Sequence, residues 1–466
     1  MTAPPPPPRG PLRVALIATY ELGHQPFGLA SPAAWLRAAG HEVACQDLSR
    51  SPLRVAEAAA AALVCFHLPM HTATRLAVQA AERVRQAAPT LPLCFFGLYA
   101  PLNADLLRGL GGEVTCLGGE FEAGLTALAG AMAAGGRPAP EEVPPVSLAR
   151  LAFRVPDRRG LPRLRDYALL RLPDGRQRIT GATEASRGCK HHCRHCPIVP
   201  VYQGQFRVVP LAVVLADIRQ QVAAGAQHIS FGDPDFFNGI GHARAVVTAL
   251  HEAFPDLTFD ATIKVSHLLD HADHLAGLRE AGCLFVTTAV ESTEEAVLTR
   301  LAKGHTRSDF VRAVEVCRQA GLALSPTFVP FTPWTTLAGY LDLLTCVADL
   351  GLIAAVAPVQ LTLRLLIPAG SRLLELEEAR AIAGPFDATA LVHPWRHPDP
   401  TLDALQERAT AVVALGARSG LARGEIFARL WELAHRAAGR PAPPLPCDED
   451  RLARAAIPYL QEPWYC

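Results

Sequence analysis

The sequence predicts an α/β fold made of two parallel-sheet units, followed by a helical region. Short apolar segments alternate with helical segments of about 10 to 15 residues, first over residues 11–135 and again over residues 177–370. Between these units, residues 136–176 are rich in proline, arginine and glycine and predict a linker. Residues 371–466 are helical in pattern, and the proline tract at residues 1–10 predicts a disordered tail.

The first unit is predicted to be a Rossmann-like, doubly wound domain. Five short apolar runs predict strands, at residues 13–18, 41–45, 63–66, 93–97 and 113–116. Helical patterns separate them, at residues 31–39, 54–62, 72–87 and 121–134. Ligands of such sheets bind at the carboxyl ends of the strands, so any site of this unit is expected there.

The second unit is predicted to be a partial (β/α)6 TIM-type barrel. Six strand segments alternate with helices, at residues 177–182, 228–231, 259–264, 284–290, 323–329 and 359–366. Six units are fewer than the eight of a complete barrel, and the chemistry of such barrels lies at the carboxyl ends of the strands. Two further helices, at residues 401–417 and 425–438, belong to the helical C-terminal region.

Composition excludes several classes of function. Lys+Arg and Asp+Glu both number 44, so the net charge gives no basis for bulk nucleic-acid binding. No apolar stretch reaches the roughly 18 to 20 residues of a membrane span, and the N-terminus has no signal-peptide pattern. Most of the 12 cysteines stand alone in apolar surroundings and are predicted to be buried, which favours a reducing, cytoplasmic location.

The cysteine run Cys189-Lys190-His191-His192-Cys193-Arg194-His195-Cys196 is the strongest functional signal. Three cysteines this close cannot form a disulfide framework, but their thiolates can converge on one metal centre. On a 4Fe-4S cluster they would leave one iron without a protein ligand. The alternative to a cluster is a structural zinc site of three cysteines and one histidine. The chain would then be a non-enzymatic binding or electron-transfer protein. Positive side chains are expected to lower the thiol pKa values, namely Arg187, Lys190 and Arg194.

This C-x3-C-x2-C run resembles the signature of the radical S-adenosylmethionine (radical SAM) superfamily. The resemblance implies that Cys189, Cys193 and Cys196 bind a 4Fe-4S cluster, with SAM chelating the open iron. It also implies reductive cleavage of SAM to methionine and a 5′-deoxyadenosyl radical, with a donor such as ferredoxin or flavodoxin. His195 stands where the family usually carries an aromatic residue and is assigned to the cofactor site.

Two later segments resemble the SAM-binding motifs of the same family. Gly232-Asp233-Pro234-Asp235-Phe236 follows the second barrel strand, and the resemblance implies that Asp233 and Asp235 accept from the SAM ammonium. Val290-Glu291-Ser292 follows the fourth strand, and the resemblance implies that Glu291 holds the ribose hydroxyls. The structural alternatives are an Asx turn at the first segment and a helix cap at the second.

The first unit resembles the cobalamin-binding domain fused to many radical SAM enzymes. The likeness covers about residues 11–135 and includes the segment from Pro26 to Ala30. The family's D-x-H-x-x-G motif is altered here to Glu21, His24 and Gly28, with changed spacing. Cobalamin is therefore a possible cofactor, and cobalamin-dependent methyl transfer is an alternative activity. The other alternative is a degenerate domain used for packing or substrate recognition.

The chain ends on Glu462-Pro463-Trp464-Tyr465-Cys466. This ending is similar to a radical SAM subgroup whose chains end in Cys-Cys-Ala-Glu-Pro or Cys-selenocysteine-Ala-Glu-Pro. The resemblance implies that the natural chain continues through a selenocysteine codon, with Cys466 in a catalytic role. The sequence does not identify the substrate.

Overall fold

The computed structural model describes residues 10–445 and 457–461, and it begins with a parallel sheet. The strands of this sheet run in the order β2-β1-β3-β4-β5-β6, and every neighbouring pair is parallel. Its strands are β1 (Arg13–Ala18), β2 (Glu42–Asp47), β3 (Leu63–His67), β4 (Leu93–Phe96), β5 (Val114–Gly119) and β6 (Val146–Ser147). The helices of this unit are α1 (Phe27–Ala38), α2 (Val55–Ala59), α3 (His71–Ala87), α4 (Tyr99–Leu102), α5 (Ala104–Arg108) and α6 (Glu122–Ala133).

Alternation along the strands places helices on both faces of this sheet. In β1, Val14 and Leu16 pack in a cluster with residues of α1 and α6. Ala15 and Ile17 pack in a separate cluster with residues of α2 and α3. Because successive strand residues point to opposite faces, an apolar strand buries both faces at once. The predicted doubly wound domain is confirmed.

The second sheet is curled and mostly parallel. Its strands include β7 (Leu169–Arg171), β8 (Gln177–Thr183), β11 (His228–Phe231), β12 (Thr258–Thr262), β13 (Cys283–Glu291) and β14 (Ala323–Phe328). A separate antiparallel pair is formed by β9 (Ser186–Gly188) and β10 (Phe206–Val208). The helices between and after them are α7 (Ile198–Tyr202), α8 (Leu211–Ala223), α9 (Ile240–Ala253), α10 (Val265–Asp270), α11 (Leu275–Glu280), α12 (Glu295–Leu301), α13 (Arg307–Gln319) and α14 (Leu337–Asp349). The remaining elements are α15 (Glu377–Ile382), α16 (Pro400–Arg418), α17 (Arg423–Ala437) and β15 (Tyr459–Leu460).

The order of this sheet is β14-β13-β12-β11-β8-β7-β15, and the five strands from β8 to β14 are parallel. The predicted partial barrel is confirmed, but its sixth strand at residues 359–366 is reduced to one parallel bridge between Phe331 and Arg364. Residues Pro358–Leu361 form a 3-10 turn instead. There the Gln360 side chain accepts a hydrogen bond from the Phe328 N–H at 3.2 Å, so a side chain takes the place of a strand at this edge.

The C-terminal helices complete the outer layer of the second unit. Leu402 and Leu405 of α16 and Phe427 and Leu430 of α17 are buried in the same core as the barrel strands and α14. The helical prediction for this region is therefore confirmed for the described residues. Within that part of the chain, we find no helix with the length and apolar character needed to cross a bilayer.

Segments predicted as a linker tie the two units together. β6 adds an edge strand to the first sheet, and β7 adds an antiparallel strand beside β8 to the second. Arg158 lies between the units with a side chain that is 9% exposed, and its guanidinium forms an ion pair with Asp217 at 2.8 Å and donates to the side chain of Gln25 at 2.8 Å. A bidentate arginine contact shielded from solvent fixes an interface more rigidly than an exposed pair would.

Candidate metal centre

The cysteine run forms a loop between β9 and α7, at the carboxyl edge of the partial barrel. Gly188, immediately before Cys189, has a φ of +74°, and a Cβ there would lie 2.4 Å from the ring of Tyr202. Only glycine fits that conformation and that space. Asp233, after β11, accepts from the Ala185 N–H at 2.9 Å and from the Ser186 hydroxyl at 2.5 Å, which fixes β9 ahead of the loop. Burial raises the pKa of Asp233 to about 7, although the Ser186 hydrogen bond opposes that rise.

The loop is held at several points that are distant in sequence. The Cys189 N–H donates to the Gln205 carbonyl at 3.1 Å, and the Arg194 N–H donates to the Leu301 carbonyl at 2.9 Å. The Asn238 side-chain oxygen accepts from the Lys190 N–H at 3.2 Å and lies 3.8 Å from the Cys189 sulfur. The loop is thus positioned by contacts from several separate segments.

Cys189, Cys193 and Cys196 are free thiols on this loop, and Cys193 is buried. Burial raises the pKa of Cys189 and raises that of Cys196 to about 12. Buried thiols with high pKa values stay protonated unless a metal ion takes the place of the proton. Three free thiols on one loop, none of them in a disulfide, fit the iron–sulfur cluster expected from the spacing. The other described cysteines are all buried away from the loop, as predicted, namely Cys45, Cys65, Cys94, Cys116, Cys283, Cys317 and Cys346.

The positive charges near the thiols are not the arginines that the sequence suggested. Arg187 points into the first unit, where it lies 2.7 Å from Glu122, 2.7 Å from Glu184 and 3.4 Å from Glu120. The guanidinium of Arg194 instead donates to carbonyl groups of residues 299 and 300, at the end of α12. These two expectations are wrong because buried carboxylates and helix-end carbonyls bind the guanidinium groups more closely than the thiols do.

Two lysines supply the positive charge instead. Lys303 is buried, and burial tends to lower its pKa, but Glu291, Cys193 and Cys196 outweigh that effect and raise it. Lys264 follows β12, and burial lowers its pKa, with Cys193 and Cys189 among the groups that oppose the change. Sequence analysis assigned no role to Lys303. The only signal for it was its place in Lys303-Gly304-His305, shortly after α12.

Glu291 ends β13 with a φ of +70°, a strained conformation for a residue that is not glycine. Its Oε1 lies 3.2 Å from the His195 Nε2 and 3.3 Å from the Lys303 Nζ. Burial would raise the pKa of Glu291, but Lys303 and the His195 hydrogen bond outweigh burial and lower it to about 2. The structure thus brings together His195 and Glu291, two of the residues predicted for the cofactor site.

Asp235 lies at the same edge but among histidines. Its Oδ2 is 2.7 Å from the His267 Nδ1 and 3.5 Å from the His191 Nε2, while Oδ1 accepts from the Lys264 N–H at 3.3 Å. Burial would raise the pKa of Asp235, but contacts with His191 and His267 outweigh it and hold the pKa well below its usual range. His267 was missed because no motif includes it. Its position in the first turn of α10, directly after a strand end, was the available signal.

The carboxyl edge of the first sheet is filled by side chains. His67, at the end of β3, stacks on Phe96 with ring centroids 5.2 Å apart, and its Nδ1 lies 2.7 Å from Glu21. Phe121 lies beside both rings, and a Cβ on Gly28 would come within 1.9 Å of His67. Glu21, His67, Phe96 and Phe121 thus form a packed cluster at this edge of the first sheet.

The altered motif residue His24 lies in the turn that follows β1. Its N–H donates to the Glu21 carbonyl at 2.8 Å, and burial lowers the pKa of its imidazole. Cys466, assigned a catalytic role from the sequence ending, lies outside the described residues.

Comparisons with known proteins agree with this architecture. Residues 183–335 match the family model of the Radical SAM superfamily. The chain is 30% identical over 165 residues to tRNA-2-methylthio-N(6)-dimethylallyladenosine synthase of Chlorobium luteolum, covering 33% of this chain and 36% of that protein. It is 26% identical over 183 residues to bacteriochlorophyllide d C-8(2)-methyltransferase of Chlorobaculum tepidum, covering 36% of this chain and 40% of that protein. The matched region spans less than half the length of either relative.

Solved structures share the fold over more of the chain. The radical S-adenosylmethionine methyltransferase TsrM from Kitasatospora setae has a TM-score of 0.56 at 20% identity, covering 72% of this chain and 71% of TsrM. The cobalamin-dependent radical enzyme OxsB has a TM-score of 0.65 at 12% identity, covering 88% of this chain and 67% of OxsB. These likenesses establish the fold, and the family match places the cysteine loop inside it. The chain therefore contains a radical SAM domain, at residues 183–335.

Proposed function

We propose that this chain is a radical SAM enzyme in which Cys189, Cys193 and Cys196 hold a 4Fe-4S cluster. The observation that carries the proposal is three free thiols on one loop, beside the buried Lys303 and the half-buried Lys264, at the carboxyl edge of a partial barrel. When bound, the cluster would supply an electron, drawn from a donor such as ferredoxin or flavodoxin, that cleaves SAM and yields a 5′-deoxyadenosyl radical for hydrogen abstraction.

Lys264 and Lys303 place positive charge where negative charge has to be bound. Both are close enough to the thiols for Cys193 to act on their pKa values. Two ammonium groups partly offset the charge of the thiolates and would attract the carboxylate of SAM. Glu291 holds Lys303 through its Oε1 atom. We assign its Oε2 atom to the ribose hydroxyls.

We assign Asp233 a positioning role in place of the predicted contact with the ammonium of SAM. Both of its oxygens already accept from the backbone and side chain of the segment that leads to the cysteines. A carboxylate occupied in this way is a positioning residue, because binding the SAM ammonium would compete with those hydrogen bonds. It fixes the position of β9 and thereby the position of Cys189.

The reducing cytoplasm is the proposed compartment. The ten described cysteines form no disulfide with one another, which supports a reducing environment. Cobalamin-dependent methyl transfer is the alternative function, because the chain shares its fold with the cobalamin-dependent radical enzyme OxsB. The packed cluster of His67, Phe96 and Phe121 at the edge of the first sheet favours the main proposal.

The test is anaerobic reconstitution of the full chain with iron and sulfide. We expect about four irons per chain and formation of 5′-deoxyadenosine from SAM under reducing conditions. Changing Cys189, Cys193 or Cys196 to alanine should abolish cleavage. Cys317→Ala is the matched control, since Cys317 is equally a buried thiol but lies in α13. Stoichiometric zinc with no SAM cleavage would overturn the proposal in favour of a zinc protein.

A further inference from the structure

We propose that His191, Asp235 and His267 form a second metal site, separate from the three thiols, for a divalent first-row transition ion. One ligand atom from each residue lies within 4.8 Å of the other two. The Asp235 Oδ2 is 2.7 Å from the His267 Nδ1 and 3.5 Å from the His191 Nε2. The three residues come from the cysteine loop, the segment after β11 and the first turn of α10, so only the folded barrel brings them together.

The three atoms are buried and have no hydrogen-bond partner within the described protein. The side chains of Asp235 and His267 are each 3% exposed. Although the Nδ1 of His267 approaches Asp235 closely, the contact does not satisfy either atom as a hydrogen bond. Burying a polar atom without a full hydrogen bond costs stability. An ion between the three atoms would remove that cost, because ligand lone pairs then converge on the ion rather than on each other.

The donor set defines the class of ion. Imidazole nitrogen suits zinc, iron, nickel and copper, and two histidines with one carboxylate and open positions are typical of non-haem iron(II). The carboxylate is already oriented, because its other oxygen accepts from the backbone N–H groups of Lys264 at 3.3 Å and Phe237 at 3.4 Å. Hydrogen bonds of that kind fix a ligand before the ion arrives. Three protein ligands leave positions for water or for a donor atom of the substrate.

The location gives this site a consequence for the thiols. His191 lies two residues after Cys189 and two before Cys193. An ion held by His191 would anchor the middle of the cysteine loop to β11 and α10. The site also assigns Asp235 to a metal rather than to the ammonium of SAM, which is the role that the sequence resemblance implied.

Cobalt(II) added to the full-length, cluster-free chain tests the proposal. In the triple variant Cys189→Ser, Cys193→Ser, Cys196→Ser, we expect one cobalt per chain, with visible d–d bands but no sulfur-to-cobalt charge transfer. A further change of His267→Ala or Asp235→Asn should weaken binding by at least about ten-fold. His274→Ala is the matched control, since this partly exposed histidine lies near His271 on the same side but outside the three ligands.

A second measurement applies if the triple variant does not fold. Wild-type protein reconstituted with iron and sulfide should retain one additional cobalt by elemental analysis, and His267→Ala should lose it while keeping the cluster iron. Equal cobalt retention in His267→Ala, or no cobalt without the cysteines, would overturn the site. It would also be overturned if SAM displaced cobalt while Asp235→Asn lost SAM affinity in metal-free protein. Each of these outcomes leaves the test of SAM cleavage unaffected.

Discussion

The carboxyl edges of the two parallel sheets differ in what their side chains leave open. At the first sheet, His67 packs against Phe96 and Gly28 and contacts Glu21, so the crevice is occupied. At the second, the three thiols are free, and the facing atoms of Asp235 and His267 make no well-formed hydrogen bond. The two edges have the same strand polarity and the same βα connections. The comparison teaches that the architecture locates a possible site, whereas the side chains at the edge decide whether it can bind anything.

The two edges meet at a cluster of charged side chains around Arg187, which we call the charged seam. This guanidinium belongs to β9 and is surrounded by Glu120 and Glu122 of the first unit and by Glu184. Tyr202 completes the seam by donating its hydroxyl to Glu120 at 3.1 Å. The residue two positions before the first cysteine therefore connects the occupied edge to the open one, and it offers the most direct way to separate them.

The largest expected effect is that of Arg187→Met. The substitution keeps an apolar stem but leaves three carboxylates without their cation, so we expect a loss of about 3–5 kcal/mol of unfolding free energy. Urea denaturation followed by circular dichroism measures it. Arg108→Ala is the control, because its pair with Asp105 is exposed and contributes at most about 1 kcal/mol. Equal losses in the two variants would mean that the seam does not join the units.

An intermediate effect is expected for Gly28→Ala, which tests whether the first crevice is filled. The new Cβ would overlap the ring of His67, so we expect a loss of about 1–3 kcal/mol. The double change Gly28→Ala, His67→Ala should recover part of that loss. Gly130→Ala, in α6 with nothing within 4 Å of the new Cβ, should be neutral or stabilising by up to about 1 kcal/mol. A neutral Gly28→Ala would show that the first edge has room for a ligand.

The smallest expected effect is a pH dependence at Glu120. Burial raises the pKa of Glu120 from 4.5 to about 7, with Arg187 opposing the rise. Because the folded-state pKa lies above the unfolded one, this carboxyl favours folding below pH 4.5, and that contribution is lost as the pH rises through 7. Glu120→Gln should therefore gain roughly 1–2 kcal/mol relative to wild type between pH 4.5 and pH 8.

The control for that measurement is Glu113→Gln, a partly exposed glutamate next to the opposite end of β5. Chemical denaturation of each variant and of wild type at several pH values gives the differences. If the Glu120→Gln difference stayed constant across the range, then the seam would not hold a protonated carboxyl.

The sequence predicted the helices and strands of this molecule better than the contacts between its side chains. Strand and helix positions follow from local apolar patterns, so both units were predicted, except for the sixth barrel strand. That strand is absent because the Gln360 side chain accepts the hydrogen bond from the Phe328 N–H that a neighbouring strand would have accepted. Apolar periodicity carries no information about such a bond. The cysteines were identifiable because their spacing is local.

Partners distant in sequence could not be predicted. Arg187 looked like a cation for the thiols, but two of its three carboxylates, Glu120 after β5 and Glu122 in α6, lie more than 60 residues earlier. Lys303 and His267 reach the site only because strand ends of the barrel converge. A pattern along the chain shows which residues could do chemistry, and the fold decides which of them are already bound to something else.

The attachment of the cysteine loop has a consequence for the order of assembly. The loop depends on hydrogen bonds to residues 205, 238 and 301 and on the carboxylate of Asp233. Each of these lies after the cysteines in the chain, the last of them more than 100 residues later. The loop therefore reaches this conformation only when most of the barrel has folded. In a zinc finger the ion drives folding; here we expect the cluster to be loaded into a largely folded protein.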